Sequence, residues 1–144
     1  MQHAFDYKQF IVLKVDDNPD PREVFKRCFG DEFRILTAAS ADEGLNLLKQ
    51  HRDEVGVLLT NYRMPGHNGV WLLEQAHEIK PHLIRILFSA ACGGHDLLAA
   101  CRLGIYRYIT SPWDPEELMQ TLRVALEQFE LMNALVGSAW PADR

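Results

Sequence analysis

Five short apolar runs recur along the chain, each followed by a longer segment in which apolar residues return every three or four positions. The runs are Phe10 to Val15, Phe33 to Ala38, Val55 to Thr60, Ile84 to Ser89 and Tyr106 to Thr110, all rich in Val, Ile, Leu and Phe. Runs this short and this uniformly apolar suit strands buried on both faces, and the periodic segments between them suit the covering helices. Helix starts are marked by chemistry. Asp20-Pro21-Arg22-Glu23 and Asp114-Pro115-Glu116-Glu117 place Asp at the N-cap, Pro in the first turn and Glu at N3, and Ser40-Ala41-Asp42-Glu43 is a third capping box. Two more helices are predicted from about Val70 to Lys80, closed by Pro81, and from about His95 to Arg102, closed by Gly104. Regular βα alternation with right-handed crossovers predicts a three-layer, doubly wound α/β domain around a parallel five-stranded sheet of order 2-1-3-4-5.

The last helical pattern runs from Pro115 to about Val136, longer than one face of a small sheet requires. Leu118, Leu122, Ala125, Phe129, Met132 and Val136 alternate at spacings of four and three, a seam of nearly three heptads, with Met119, Leu126 and Asn133 as a second, less apolar line. The first seam can face the sheet throughout, but from Phe129 onward it is expected to project past a five-residue strand and to need a partner. The expected organisation is an N-terminal extension over 1–9, one domain over 10–128, and an extended final helix and tail over 129–144. A homodimer through the last helix, or a coiled coil leading to an output module, would cover the projecting part.

Composition narrows the possibilities. With 144 residues, 47% of them hydrophobic, the chain suits one domain able to bury a core. No run of about 18 apolar residues is present and the N-terminus lacks a leader-like apolar segment, so a cytoplasmic protein without membrane contact is expected. The net charge of -5 comes from interspersed acids and bases with no basic block, which disfavours direct nucleic-acid binding. Cys28, Cys92 and Cys101 are odd in number and lack CxxC spacing, so reduced, mostly buried thiols are expected. His67, His77, His82 and His95 lack i, i+4 spacing and read as surface residues, not metal ligands.

In an open parallel sheet, ligands gather at the carboxyl ends of the strands. Here those ends carry Asp16-Asp17, Asn61, Ser89 and Ser111-Pro112. The segments around them are VDDNPD, LLTNYRMPGHNG, ILFSA and YRYITSPWDPEEL, and in this order and spacing they resemble the signature segments of response-regulator receiver domains. The similarity covers about Phe10 to Leu126, and the RMPG and RYITSPWDPEEL stretches are most similar to receivers of the hydrogenase-regulator type and to receivers fused to phosphodiesterase or kinase modules. The resemblance implies a flavodoxin-like receiver fold, a role in two-component phosphorelay signalling and no enzymatic activity of its own. It also implies a site: paired acids that hold magnesium, an aspartate that accepts a phosphoryl group, a hydroxyl and a lysine that grip it, and an aromatic switch. Asp16 and Asp17 match the acidic pair, the Arg63 carbonyl the backbone metal ligand, Ser89 the hydroxyl and Tyr108 the aromatic. The Ser111-Pro112 bond is expected to be cis, as the equivalent bond is in the family.

Two positions depart from the pattern: the phosphoacceptor is Asn61 and the lysine is Ser111. A neutral amide is far less nucleophilic than a carboxylate, so no acyl phosphate is expected at Asn61. Magnesium prefers anionic oxygen. One charge pair at about 4 Å and an effective dielectric near 20 is worth roughly 4 kcal/mol, and losing half of that weakens binding on the order of thirtyfold. No metal is therefore expected, or magnesium only weakly through Asp17. The two losses fit one another as a site rebuilt to be nearly neutral. The acids also suit simple caps of the strand-to-helix turn, and Ser89 and Tyr108 suit purely structural roles. The reading is a phosphorylation-independent receiver that works as an interaction switch with protein partners: a cognate sensor kinase, an output module or a partner regulator. Two other readings stay open, a conventional receiver phosphorylated at Asp16 or Asp17 and a small-molecule-binding flavodoxin-like domain.

Overall fold

A computed structural model of the chain describes residues 4–89, 98 and 101–137. Five strands, β1 (Ile11–Val15), β2 (Arg34–Ala38), β3 (Val55–Asn61), β4 (Ile84–Ser89) and β5 (Arg107–Thr110), form one parallel sheet in the order β2-β1-β3-β4-β5. The helices are α1 (Pro19–Phe29), α2 (Ala41–Gln50), α3 (Gly69–Ile79) and α4 (Pro115–Gly137). The helix expected over about His95 to Arg102 lies mostly outside the described residues, as do Cys92, Gly93, Gly94 and His95; Leu98, Cys101 and Arg102 are helical.

Alternation along the buried strands sends side chains into two cores. Leu13, Val15, Leu58 and Leu87 meet α2 and α3 through Leu48, Leu72, Leu73 and Ala76. Val12, Val57, Leu59, Ile86 and Phe88 meet α1 and α4 through Phe25, Phe29, Leu118, Leu122, Ala125 and Leu126. These apolar faces hold the strand ends, and hence the site, in fixed register.

Several expectations need correction. The cap of α1 is Asn18, whose side chain accepts from the Asp20 amide, so the cap lies two residues before Asp20 and the helix begins at Pro19. At the other two starts the cap side chains accept as expected, Ser40 Oγ from Glu43 N at 3.0 Å and Asp114 from Glu116 N at 3.3 Å, while the Glu43 carboxylate reaches back to the Ala39 amide. Phe129 does not project past the sheet. It is 1% exposed, edge-on to Phe10 with centroids 4.9 Å apart, because Gly56 in β3 leaves room for its ring. Leu126, on the second line, is also buried. Among the described residues, the large apolar side chains that α4 exposes are Val124, Leu131 and Leu135. Cys28 and Cys101 are exposed, not buried. Among the described residues no helix is long and apolar enough to cross a membrane.

The residues ahead of β1 are packed. Tyr7 sits edge-on to Phe33 with centroids 5.8 Å apart, its hydroxyl donates to Glu127 of α4, and the Phe5 ring packs beside it, tilted by 48° with centroids 4.7 Å apart.

Candidate functional site

Pairing register places Val15 beside Thr60 and Asn61 beside Phe88, so Asp16, Asn61 and Ser89 emerge at neighbouring strand ends. The Asp16 amide donates to Ala38 O at 3.0 Å and the Tyr62 amide to Phe88 O at 2.8 Å, which continues the ladder one residue past β1 and β3. The Ser111 amide donates to Ser89 O at 3.3 Å and joins the end of β5 to the same edge, with the Ser111-Pro112 bond cis as expected.

The loop after β3 doubles back sharply. Gly66 adopts φ 80°, and the Gly69 amide donates to Tyr62 O at 2.8 Å. A Cβ on Gly69 would stand 2.1 Å from Asn61 O, so only glycine lets α3 start this close to the strand end. Asn61 is thereby held at the base of the cleft.

Asp16 is 2% exposed, and one of its carboxylate oxygens accepts from Asn18 N at 2.9 Å, the turn-capping contact. Asp17 and the Arg63 and Ser111 side chains are exposed, Ser89 is buried, and Tyr108 is half-buried on the α2–α3 side of the sheet. The sequence-derived residues therefore converge by backbone position, with only Asp16, Asn61 and Ser89 turned inward to any degree.

Two cations at this cleft were not anticipated. Lys14, in the middle of β1, is 2% exposed. Its ammonium lies 3.9 Å from the centroid of the Phe88 ring and 5.6 Å from that of Phe25. The same ammonium is 3.5 Å from Asn61 Oδ1 and 3.9 Å from Asp16 Oδ2. Burial pushes the Lys14 amine down to about 8, with Asp16 opposing the shift. Arg22, reaching back from α1, donates to Asp16 O at 2.7 Å. The positive charges beside Asp16 and Asn61 come from β1 and α1. A signal was present in the sequence: a lysine inside IVLKV, a run otherwise suited to complete burial, two residues before the acidic pair. Arg85 interrupts β4 in the same way, but it donates to Leu73 O and Gly104 O, both at 3.4 Å, and to Leu103 O, and serves the fold.

The magnesium ion that the receiver resemblance implies fits this donor set poorly. A metal between Asp16 and Asn61 needs their oxygens, yet Asp16 Oδ2 and Asn61 Oδ1 both face an ammonium, and one of the two donors is a neutral amide. Among the described residues no group of three or more His, Cys, Asp or Glu is disposed to hold a metal.

Comparison with known proteins agrees with this architecture. The family profile of the response regulator receiver domain matches residues 12–123. The chain is 41% identical over 121 residues to the hydrogenase transcriptional regulatory protein HoxA of Cupriavidus necator, covering 83% of this chain and 25% of that protein. It is 32% identical to HoxA of Bradyrhizobium diazoefficiens over 126 residues, or 87% of this chain and 26% of that one. It thus spans about a quarter of the length of these curated relatives. Among solved structures, the signal receiver domain of an HD domain-containing protein from Pseudomonas fluorescens superposes with a TM-score of 0.83 at 26% identity, covering 93% of this chain and 98% of that one.

Proposed function

Because this chain belongs to the response-regulator receiver family, we propose that it acts in two-component signalling without accepting a phosphoryl group, as a module that binds proteins. The observation that carries this reading is the placement of Asn61. A carboxamide stands at the end of β3, its oxygen facing the Lys14 ammonium, while the residue beside the cis proline is a serine. Phosphoryl transfer to a side chain needs an anionic nucleophile and a cation that follows the charge as it spreads over the phosphoryl oxygens. Asn61 lacks the first, and Lys14 is too deeply buried to move outward toward a bound phosphoryl group. Asp16 is a poor substitute, since it is 2% exposed and its carboxylate already accepts from Asn18 N and faces the Lys14 ammonium.

The partners belong to the same reading: a sensor kinase, an output module or a partner regulator, and a second copy of this chain along α4. Val124, Leu131 and Leu135 fall on one stripe of that helix and are 40%, 59% and 65% exposed, more apolar surface than an unpartnered helix end usually shows.

Incubation with acetyl phosphate and magnesium, read by intact mass, tests the central claim. The unmodified chain is expected to gain no phosphoryl mass, and Asn61→Asp with Ser111→Lys to gain it. Stoichiometric labelling of the unmodified chain would overturn the reading.

A further inference from the structure

We propose that Lys14 sets the cation selectivity of this cleft: its tethered ammonium takes the place of a divalent metal beside Asp16 and Asn61 and excludes one. The inference deepens the reading of the site as silent in phosphoryl transfer, and rests on it for its biological meaning.

The geometry is specific to a built-in cation. Lys14 starts in β1, an inner strand flanked by β2 and β3, and is 2% exposed, so the ammonium reaches the strand ends from beneath and not from solvent. It arrives where the family's acids would look for a metal, facing one oxygen of Asp16 and one of Asn61. The Phe88 face closes a third side of the ammonium at 3.9 Å. An aromatic face stabilises a monovalent organic cation and offers a hydrated divalent ion nothing comparable, so this wall favours the lysine.

Exclusion follows from distance. Magnesium binds oxygen at about 2.1 Å, so an ion on Asn61 Oδ1 would stand on the order of 5–6 Å at most from an ammonium that is 3.5 Å from the same atom. A single charge and a double charge of the same sign at that separation, shielded from water by Phe25 and Phe88, repel strongly even at the effective dielectric of a protein surface. The arrangement also explains why a lysine is tolerated in the strand. The amide oxygen and the carboxylate give it polar contacts that a fully apolar neighbourhood would deny it.

Manganese, a paramagnetic stand-in for magnesium, makes the test quantitative. Binding is measured by electron paramagnetic resonance in the unmodified chain, Lys14→Met, Asn61→Asp, Asn61→Asp with Lys14→Met, and Asn61→Asp with Lys49→Met, which removes an exposed lysine on α2 as a control for overall charge. Asn61→Asp alone is expected to bind weakly, because the new carboxylate pairs with the ammonium. Adding Lys14→Met is expected to tighten binding at least about tenfold, or about 1.4 kcal/mol, and adding Lys49→Met to change it less than about twofold. A lysine with only a packing role would leave the two Asn61→Asp proteins equal, and that result overturns the proposal. Lys14→Gln repeats the comparison with a polar neutral side chain. If neither neutral variant folds, the unmodified chain decides: the Asn61 side-chain amide resonances should not move as magnesium is added, and a saturable shift would refute exclusion. Failure here leaves the acetyl phosphate result untouched, so the two claims can fail separately.

Discussion

At the scale of single residues, an ammonium in a β-strand core should be visible in the stability of the protein. Lys14 stays protonated at neutral pH only against the cost of burial, with its folded-state value pushed down to about 8. A lysine whose folded value lies below its unfolded one binds fewer protons in the folded state between those two values, so its contribution to stability rises with pH through that window. Between pH 8 and about 10.4 the gain amounts to about 3 kcal/mol. Urea unfolding at pH 7 and pH 10 should therefore show a larger stability increase in the unmodified chain than in Lys14→Met, while Lys80, also lowered to about 8 by burial, contributes equally to both. An equal pH response in the two proteins would mean that Lys14 is solvated after all. Gly69 gives a second residue-scale expectation. Alanine there puts a methyl group 2.1 Å from Asn61 O. Gly69→Ala should cost about 1–3 kcal/mol by overpacking, read as a lowered melting temperature, and should shift the Asn61 resonances. Lys14 was missed in reading the sequence because a strand residue's depth depends on which other strands flank it. Asn61 and Ser111 were found because their motifs surround them.

At the scale of elements, α4 divides its apolar residues between two tasks that heptad spacing alone cannot separate. The helix crosses β3 at Gly56, where the missing side chain admits the ring of Phe129, a methyl group of Leu126 and the Cβ of Phe10. Phe129 thus belongs to the core, and Phe129→Ala should lower stability by about 3–5 kcal/mol. Leu131 and Leu135 are exposed, so Leu131→Glu with Leu135→Glu should leave urea unfolding within about 0.5 kcal/mol and convert the dimer proposed through α4 to a monomer in sedimentation equilibrium. A dimer that survives both charges would place the contact elsewhere. The seam looked continuous in the sequence from Leu118 to Val136, but the glycine opposite Phe129 moved the boundary between core and surface outward by a turn.

At the scale of the whole molecule, the N-terminal segment and α4 close over the α1 side of the sheet together. Tyr7 bridges Phe33 and Glu127, and Arg123 holds Glu32 through two hydrogen bonds of 2.6 and 2.7 Å, so three distant stretches of chain meet at one corner. The Arg123 guanidinium beside Glu32 keeps that carboxyl below its ordinary range. The pair therefore contributes above the unfolded value of Glu32 and is lost as pH falls through the folded one. Deleting residues 1–9 should weaken the domain by roughly 2 kcal/mol, the value of two half-buried aromatic rings and their contacts, measured as a shift in the urea midpoint with an unchanged slope.

The order of the strands, their approximate ends and the position of every residue matched to the receiver motifs were legible in the chain, because buried parallel strands, proline-marked helix starts and turn residues are local features. The amide at the acceptor position was legible for the same reason, since Asn61 lies inside LLTNYRMPG. Only the folded molecule decided what faces that amide. Lys14 and Asn61 are 47 positions apart and meet because β1 and β3 are neighbours with Lys14 turned to the α1 side. Pairing across a sheet brings such residues together through register and pleat, which no local pattern encodes.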